Sequence, residues 1–455
     1  MKRFLLALSA LLVLVASCNL FHPVEPEVPD NPDDPTGTTP DDEEPEVTEP
    51  EISVEYEATD SLRIGNADFP YWAYDTTGIY GAIVSNTLLR KCRNNNENLG
   101  AAMVKESGSK TPTWGYWNYI VTYSSTDGSG NEVTLSERIV FPAGFSFTHS
   151  PRGIVLVSHP TIGANRESPT IDKDFLIGLS SLDYVIVFPD LMGFGVSQER
   201  IHPYMCQELT ARQSIDGAIA AIRFLEDRGI ELNADGGLIN AGYSQGGASA
   251  LAIHKYIETV STEKEREFLG LKASYCGGGP YDLIATWDAY REQTSLSFPC
   301  ALPMTILAFK EGYPLEMKDI DPYDCLCPAL KESDFLSRIQ SKNFSVSLLN
   351  AHLKLDVGST RMDAVLSQEM LDTESELHAT IKGLLERNNL ASGWAPEKPV
   401  FLYHEKKDEI VPYVNYTKAL EGLSKGNVST INVMLSGGSH IGGGGVFYLQ
   451  LMDLL

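Results

Sequence analysis

Gly242-Tyr243-Ser244-Gln245-Gly246-Gly247 is the most informative stretch of this 455-residue sequence. It directly follows Leu238-Ile239-Asn240-Ala241, which predicts a short buried strand, and it precedes a helical pattern over residues 248–260. A serine between glycines at such a junction is typical of a sharp strand-to-helix turn, because only glycine lets strand and helix approach so closely. The turn would expose the Ser244 hydroxyl. The alternative is a glycine-rich turn whose serine merely caps the helix.

Strands and helices alternate on both sides of this turn. Further buried strands are predicted at residues 153–157, 184–188, 271–276, 400–403 and 431–435. A helical repeat of apolar residues covers 207–228, and Asp127-Gly128-Ser129-Gly130 lies between two strand-like segments, which predicts a hairpin. The pattern therefore predicts an α/β fold with a mostly parallel central sheet flanked by helices.

The alternation stops between residues 282 and 394, where we predict no buried strand. Its clearest element is an amphipathic helix that carries Leu377, Ile381, Leu384 and Leu385 on one face. We therefore expect a mostly helical insertion at 282–394 in a core formed by residues 117–281 and 395–455. Residues 52–116 have no clear periodicity, and we describe them only as an N-terminal extension.

The first residues predict export. A basic head is followed by an apolar run over residues 4–15, and Val15-Ala16-Ser17-Cys18 ends that run with small residues before a cysteine. This pattern resembles a bacterial lipoprotein signal, which implies a signal peptide at 1–17 and a lipid anchor on Cys18. The alternative is an ordinary secretory signal with a chance cysteine. The anchor would place the protein on the bacterial envelope, at the periplasmic or cell-surface side of the outer membrane.

Residues 18–51 are acidic and rich in proline, which predicts a disordered linker. The whole chain has 35 Lys and Arg against 61 Asp and Glu, a net charge of −26, and this charge excludes nucleic acid as a partner. Six of the seven cysteines follow Cys18, and their spacing predicts neither a metal site nor a particular disulfide pairing. We expect no metal and no cofactor.

A serine nucleophile needs a histidine to accept its proton and a carboxylate to orient that histidine. Of the nine histidines, His440 fits best, because it lies in a glycine-rich segment after the last predicted strand. Three carboxylates, Glu405, Asp408 and Glu409, compete for the third role on one loop.

The loop Tyr403-His404-Glu405-Lys406-Lys407-Asp408-Glu409-Ile410-Val411-Pro412 resembles the acid loop of the α/β-hydrolase superfamily, commonly His-Gly-x-x-Asp-x-x-Val-Pro. The resemblance places the acid at Asp408 and gives His404 a structural role. Glu405 replaces the usual glycine and remains a rival acid.

Acyl transfer also needs two N–H donors for the oxyanion. Gln245 follows the serine directly and is expected to supply one. Val157-Ser158-His159-Pro160-Thr161 resembles the superfamily's His-Gly-x loop after its third strand. Because Pro160 has no N–H, Thr161 is the expected second donor.

Three further segments resemble those of secreted bacterial and fungal lipase-like and esterase-like hydrolases. They are Pro189-Asp190-Leu191-Met192-Gly193, His202-Pro203-Tyr204 and Trp394-x-Pro396. The resemblance covers about residues 117–455. It implies an α/β-hydrolase fold with a helical lid or cap, and a serine hydrolase that cleaves carboxylic esters through an acyl-enzyme. The expected substrate is an ester with an apolar acyl group.

Two alternatives remain open. One is a serine exopeptidase of the same superfamily, although residues 52–113 are too few for the β-propeller that gates its prolyl-peptidase relatives. The other is a non-catalytic surface binding lipoprotein on a hydrolase scaffold. Retention of all three triad residue types in the superfamily order argues against it.

Overall fold

The computed structural model describes residues 52, 54–58, 65–68, 113–142, 150–172, 179, 182–432 and 436–455. The predicted signal peptide, Cys18 and the acidic linker up to residue 51 lie outside these residues, as does most of the N-terminal extension. The described part contains one sheet of ten strands with helices packed on both of its faces.

The ten strands are β1 Tyr56–Ala58, β2 Gly65–Asp68, β3 Thr113–Thr126, β4 Glu132–Pro142, β5 Ile154–Ser158, β6 Val185–Pro189, β7 Leu238–Tyr243, β8 Ala273–Gly277, β9 Val400–Tyr403 and β10 Val428–Thr430. Their order is β1-β3-β4-β6-β5-β7-β8-β9-β10, and β2 also pairs with β3. Neighbours from β6 to β10 are parallel, whereas β1 to β4 join antiparallel. The expected mostly parallel sheet is confirmed.

The helices before β9 are α1 Gln207–Glu226, α2 Gln245–Thr259, α3 Glu263–Leu269, α4 Leu283–Glu292, α5 Ala301–Gly312, α6 Pro328–Glu332, α7 Phe335–Gln340, α8 Val346–Val357, α9 Met362–Val365, α10 Gln368–Leu371 and α11 Glu376–Glu386. After β9 come α12 Val414–Gly422 and α13 His440–Leu454. All residues from 282 to 394 are described, and this segment consists of helices α4 to α11 and their connections, apart from one isolated bridge between Leu326 and Leu366.

Alternate residues of the central strands face opposite layers, as the two-residue period of a strand requires. On β5, Ile154 and Leu156 belong to the core that contains residues of α1 and α2. Val155 and Val157 belong to a second core that contains residues of α13. All five residues of β5 are buried, which explains why its first four residues are continuously apolar.

The β3–β4 hairpin forms where the sequence predicts it. The Asp127 carboxylate accepts the backbone N–H groups of Ser129 and Asn131, both at 2.9 Å, and Gly130 has a φ of 80°. These bonds organise the turn, and the positive φ explains the glycine.

The last strand of the described residues lies before the predicted range of 431–435. The strand is β10, Val428–Thr430, which pairs with β9 at the edge of the sheet, and Ile431 and Asn432 follow it without strand structure. Residues 433–435 lie outside the described residues. The β10 residues are half-buried or exposed, so they lack the apolar signal of a central strand.

The cysteines of the described part, Cys206, Cys276, Cys300, Cys325 and Cys327, carry free thiols. Within the same part, no helix is long and apolar enough to cross a membrane.

Candidate active site

Ser244 lies at the sharp turn between β7 and α2. Its φ of 62° and ψ of −118° are unusual for a residue with a side chain. The Ser244 N–H donates to the Gly277 carbonyl at 2.7 Å. A Cβ atom on Gly246 would lie 2.1 Å from the Ser158 carbonyl oxygen, and one on Gly247 would lie 2.2 Å from that of Gly277. These contacts with β5 and β8 explain the glycines that the sequence analysis singled out.

The structure brings the three predicted triad residues together. His440 Nε2 lies 2.9 Å from Ser244 Oγ, and His440 Nδ1 lies 2.5 Å from Asp408 Oδ2. The side chains of His440 and Asp408 are fully buried, and so is Ser244. With Nδ1 protonated toward the carboxylate, Nε2 is the acceptor for the serine hydroxyl. The arrangement can withdraw a proton from Ser244 Oγ as that atom attacks an electrophile.

The Asp408 carboxylate is fixed on both of its oxygens. Oδ1 accepts the backbone N–H groups of Ile410 and Val411 at 2.9 and 2.7 Å. Oδ2, which faces His440, also lies 3.3 Å from His404 Nε2. Burial alone would raise the pKa of Asp408, but the interactions with His440 and His404 outweigh burial and hold the pKa well below its usual value. Asp408 therefore stays ionised at neutral pH.

Glu405, the rival acid, has other partners. Its carboxylate accepts the hydroxyl of Tyr403 at 2.6 Å, the hydroxyl of Ser436 at 2.5 Å and the backbone N–H of Gly437. Burial raises the pKa of Glu405, yet these donors together lower it below its usual value. Glu405 thus joins the acid loop to the segment that leads into His440, and sequence reasoning missed this role.

The main chain of His440 is also tied down. Its N–H donates to the Glu409 carboxylate at 3.0 Å, and its carbonyl accepts the Tyr243 hydroxyl at 2.8 Å. Ser439 caps α13 by accepting the N–H of Gly442 at 3.1 Å. Glu409, which follows the acid, and Tyr243, which precedes the serine, therefore hold the main chain of the histidine, a function that the sequence did not reveal.

Each predicted oxyanion residue contacts a buried residue of the His202-Pro203-Tyr204 segment. The Gln245 amide nitrogen lies 2.8 Å from His202 Nε2, and His202 Nδ1 lies 2.7 Å from the Met192 carbonyl oxygen. His202 must therefore donate from Nδ1 and accept at Nε2. Thr161 is fully buried, with Oγ1 3.3 Å from the Tyr204 hydroxyl. The His202-Pro203-Tyr204 segment carried the family resemblance, but its link to Gln245 and Thr161 was not foreseen.

Asp190 organises the loop after β6. Its carboxylate accepts the Ser136 hydroxyl at 2.5 Å, and the hydroxyl and N–H of Thr170 at 2.5 and 2.9 Å. The Asp190 carbonyl oxygen lies 2.9 Å from His159 Nε2. Asp190 thereby connects the segments around β4, β5 and β6 next to the predicted oxyanion donor.

We predict that His202 makes the fold sensitive to mild acid. Burial, with a contribution from the charge of Lys342, lowers the pKa of His202 from 6.5 to about 3. Below pH 6.5 the unfolded chain gains a proton that the folded chain does not bind, so stability falls as the pH falls toward 3. From pH 7 to pH 5 this effect costs about 2 kcal/mol. His202→Gln removes it, so the variant should lose about that much less stability over this interval.

The measurement is the free energy of unfolding in denaturant, at pH 7 and pH 5, for wild type and variant. Identical pH dependence in the two proteins would contradict the prediction.

Comparison with known proteins places the chain in a family. The profile of the secretory lipase family matches residues 166–438, more than half of the chain. The match includes Ser244 and Asp408 and ends just before His440. No curated protein matches the chain.

Several solved structures share the fold. The rice cell wall degrading esterase LipA from Xanthomonas oryzae is 21% identical with a TM-score of 0.61, over 78% of this chain and 92% of that one. A putative hydrolase from Legionella pneumophila is 19% identical with a TM-score of 0.61, over 78% and 93% of the two chains. Candida antarctica lipase A is 17% identical with a TM-score of 0.53, over 71% and 73%. The chain has the α/β-hydrolase fold and belongs to the secretory lipase family.

Proposed function

We propose that the protein is a serine hydrolase that cleaves carboxylic esters through an acyl-enzyme intermediate. Membership of a lipase family supports ester hydrolysis. The observation that carries the serine mechanism is the unbroken series of hydrogen bonds from Asp408 through His440 to Ser244. The strained backbone at Ser244 lowers the stability of the fold. Such strain is typical of functional sites, and nucleophilic catalysis by the serine explains why it is present here.

In the proposed reaction, Ser244 Oγ attacks the ester carbonyl carbon while His440 Nε2 accepts the hydroxyl proton. The backbone N–H groups of Gln245 and Thr161 bind the oxyanion of the tetrahedral intermediate. Nε2 then gives its proton to the leaving alcohol, and the acyl group remains on Ser244. A water molecule attacks the acyl-enzyme with His440 as general base, the acid is released, and the proton returns to the serine. Asp408 stays ionised throughout and stabilises the imidazolium.

The surroundings of Gln245 support its part in this reaction. A neutral His202 accepts from the Gln245 side chain, and this bond fixes the first turn of α2. Donors that are already in place need not reorganise when the negative charge develops, so they stabilise the transition state more than mobile donors would. His202 acts through Gln245 and is a positioning residue.

We predict that Ser244→Ala abolishes both labelling by a fluorophosphonate and hydrolysis of nitrophenyl esters. Loss of one triad member costs on the order of 10⁴ or more in turnover. The fold should persist, because alanine is smaller than the serine it replaces. Circular dichroism and thermal unfolding are the controls for folding. Undiminished labelling of a folded variant would remove Ser244 as the nucleophile.

We predict opposite sensitivities for the two neighbouring acids. Asp408→Asn removes the charge that stabilises the imidazolium and should lower turnover by roughly 10² to 10⁴ at neutral pH. Glu405→Gln is the matched control, because it neutralises a buried carboxylate on the same loop that contacts Ser436 and Gly437 instead of the imidazole. Its effect on turnover should be far smaller. The measurement is the turnover of nitrophenyl esters by both variants. A large loss of turnover in Glu405→Gln with a small loss in Asp408→Asn would make Glu405 the catalytic acid in place of Asp408.

We also propose that the helical insertion forms a cap that shapes the acyl pocket. A cavity of about 30 Å³ lies between α4, α5 and α11, and most of its lining is apolar, including Leu283, Trp287, Leu302 and Ile306. Tyr290, which also lines it, donates its hydroxyl to the Ile410 carbonyl at 3.0 Å. Ile410 lies in the acid loop, so the cavity wall is attached to the triad. The cavity has room for only a few heavy atoms, so it would take the end of an acyl chain, and its apolar walls favour an apolar group there.

We predict that Leu302→Trp, which adds bulk to this cavity, lowers kcat/KM for nitrophenyl dodecanoate more than for nitrophenyl acetate, by about tenfold or more in the ratio. Leu355→Trp is the matched control, because Leu355 belongs to the same insertion but is 79% exposed. The ratio of kcat/KM for the dodecanoate over the acetate should not change in Leu355→Trp. Equal losses for both esters in Leu302→Trp would count against a substrate-shaping cap.

The first residues of the chain bear on where in the cell the protein is located. Family membership indicates export, and we propose a lipid anchor on Cys18 at the outer membrane. We predict that Cys18→Ala moves the protein from the membrane fraction to the soluble fraction, because the lipid is the proposed attachment. Fractionation of cells with a high-salt wash is the measurement. Continued sedimentation of the variant with the membranes would show that another attachment exists.

A further inference from the structure

Lys342 is a buried lysine beside the predicted oxyanion residues. Lys342 is 5% exposed, and its Nζ lies 5.3 Å from the centre of the Phe194 ring. Among the described residues, its ammonium group forms neither an ion pair nor a hydrogen bond. Burial of a cation that faces only an aromatic ring is costly, and lysine is seldom buried without an anionic partner. Neither the triad nor the proposed acyl cavity accounts for this position.

The backbone directs the lysine to this place. Lys342 has a φ of 53°, in the left-handed region that a side chain disfavours. Its carbonyl accepts the N–H of Asn165 at 2.8 Å, and the next carbonyl, that of Asn343, accepts Arg166 Nη1 at 2.9 Å. A Cβ atom on Gly163 would lie 2.5 Å from the Phe344 carbonyl oxygen. The segment that carries Lys342 is thus held against the residues that follow Thr161.

The side chain lines a cavity of about 10 Å³, together with Ile162, Phe194, His202, Tyr204 and Leu349. A cavity of this size holds one group as large as a water molecule. Both ring nitrogens of His202 are engaged, by Met192 and Gln245. Most of the remaining walls are apolar, so the positive charge of Lys342 is the main polar feature that an occupant would meet.

Glu311, the acid whose charge raises the pKa of Lys342, is already engaged. The charge of Glu311 acts on Lys342 at long range, but its carboxylate is paired with Arg200 at 2.6 Å. Burial lowers the pKa of Lys342 from 10.5 to about 8, which leaves the amine largely protonated at neutral pH. The cavity therefore presents a cation that lacks a direct counter-ion.

We propose that this cavity binds a single monovalent anionic group against Lys342 Nζ. Apolar walls and one ammonium group favour a singly charged anion over a multiply charged one, since they provide only one centre of positive charge. A halide ion and one oxygen of the terminal carboxylate of an ester substrate each bring a single negative charge on an atom that such a cavity can take. The bound group would lie next to His202 and Tyr204, which contact Gln245 and Thr161.

The first test locates a halide and does not depend on the proposed function. Crystals of the full chain are soaked in sodium bromide, and the anomalous signal of bromide is mapped. We expect a peak within hydrogen-bonding distance of Lys342 Nζ that is lost in Lys342→Met. Removal of a buried unpaired charge should leave the melting temperature unchanged or raise it, so the variant is expected to fold.

The second test asks whether the anion belongs to the substrate, and it rests on the proposed ester hydrolysis. The mono-4-nitrophenyl ester of hexanedioic acid carries a free carboxylate, and 4-nitrophenyl hexanoate is its neutral counterpart. If the site takes the carboxylate, Lys342→Met should lower the ratio of kcat/KM for the acidic ester over the neutral one by about tenfold or more. Lys354→Met, at an exposed lysine of the same insertion, should leave the ratio unchanged.

A bromide peak without a change in the ratio identifies a site for an inorganic anion, and a changed ratio without a peak identifies a subsite for the substrate carboxylate. The absence of both overturns the anion site even if the esters are hydrolysed. Failure of the wild type to hydrolyse either ester instead contradicts the proposed function, while the bromide experiment still decides on the anion site.

Discussion

The site depends on a backbone constraint: Ser244 holds a positive φ at the junction of β7 and α2. Such a conformation costs about 1 to 3 kcal/mol and persists only where the surroundings impose it. Here β5 and β8 impose it, because their carbonyl oxygens lie against Gly246 and Gly247 at distances that no other residue allows. The parallel sheet is therefore more than a support for the serine, since its two flanking strands determine how the turn must bend.

The other half of the site is held by three acids on one loop, each of which binds a different group in or before His440. Asp408 faces the imidazole of His440, Glu409 accepts the backbone N–H of the same residue, and Glu405 binds the segment before it. Three carboxylates within five residues would repel one another without such donors. Because each carboxylate has donors of its own, the loop can remain acidic and still hold the histidine in one orientation.

Local patterns were enough to predict the parts that depend on neighbours in sequence. The turn at Ser244, the hairpin at Asp127 and the fully buried β5 all follow from spacing and composition. The bonds of His202 to Gln245, of Glu405 to Ser436 and of Glu409 to His440 could not be predicted, because each joins residues more than thirty positions apart in the chain. The last strand of the described residues was missed for a different reason. An edge strand such as β10 buries little, so its sequence carries little apolar pattern.

The helical insertion is attached to the predicted catalytic residues at two places. Near Thr161, the backbone at Phe344 packs against Gly163, and near Asp408, the Tyr290 hydroxyl binds the Ile410 carbonyl. A segment joined to both the predicted oxyanion side and the acid side of a site cannot shift freely without moving one of them. Changes in the cap that alter substrate fit should therefore also alter the geometry of the relay. Under the proposed function, these two contacts would couple substrate selection to catalysis.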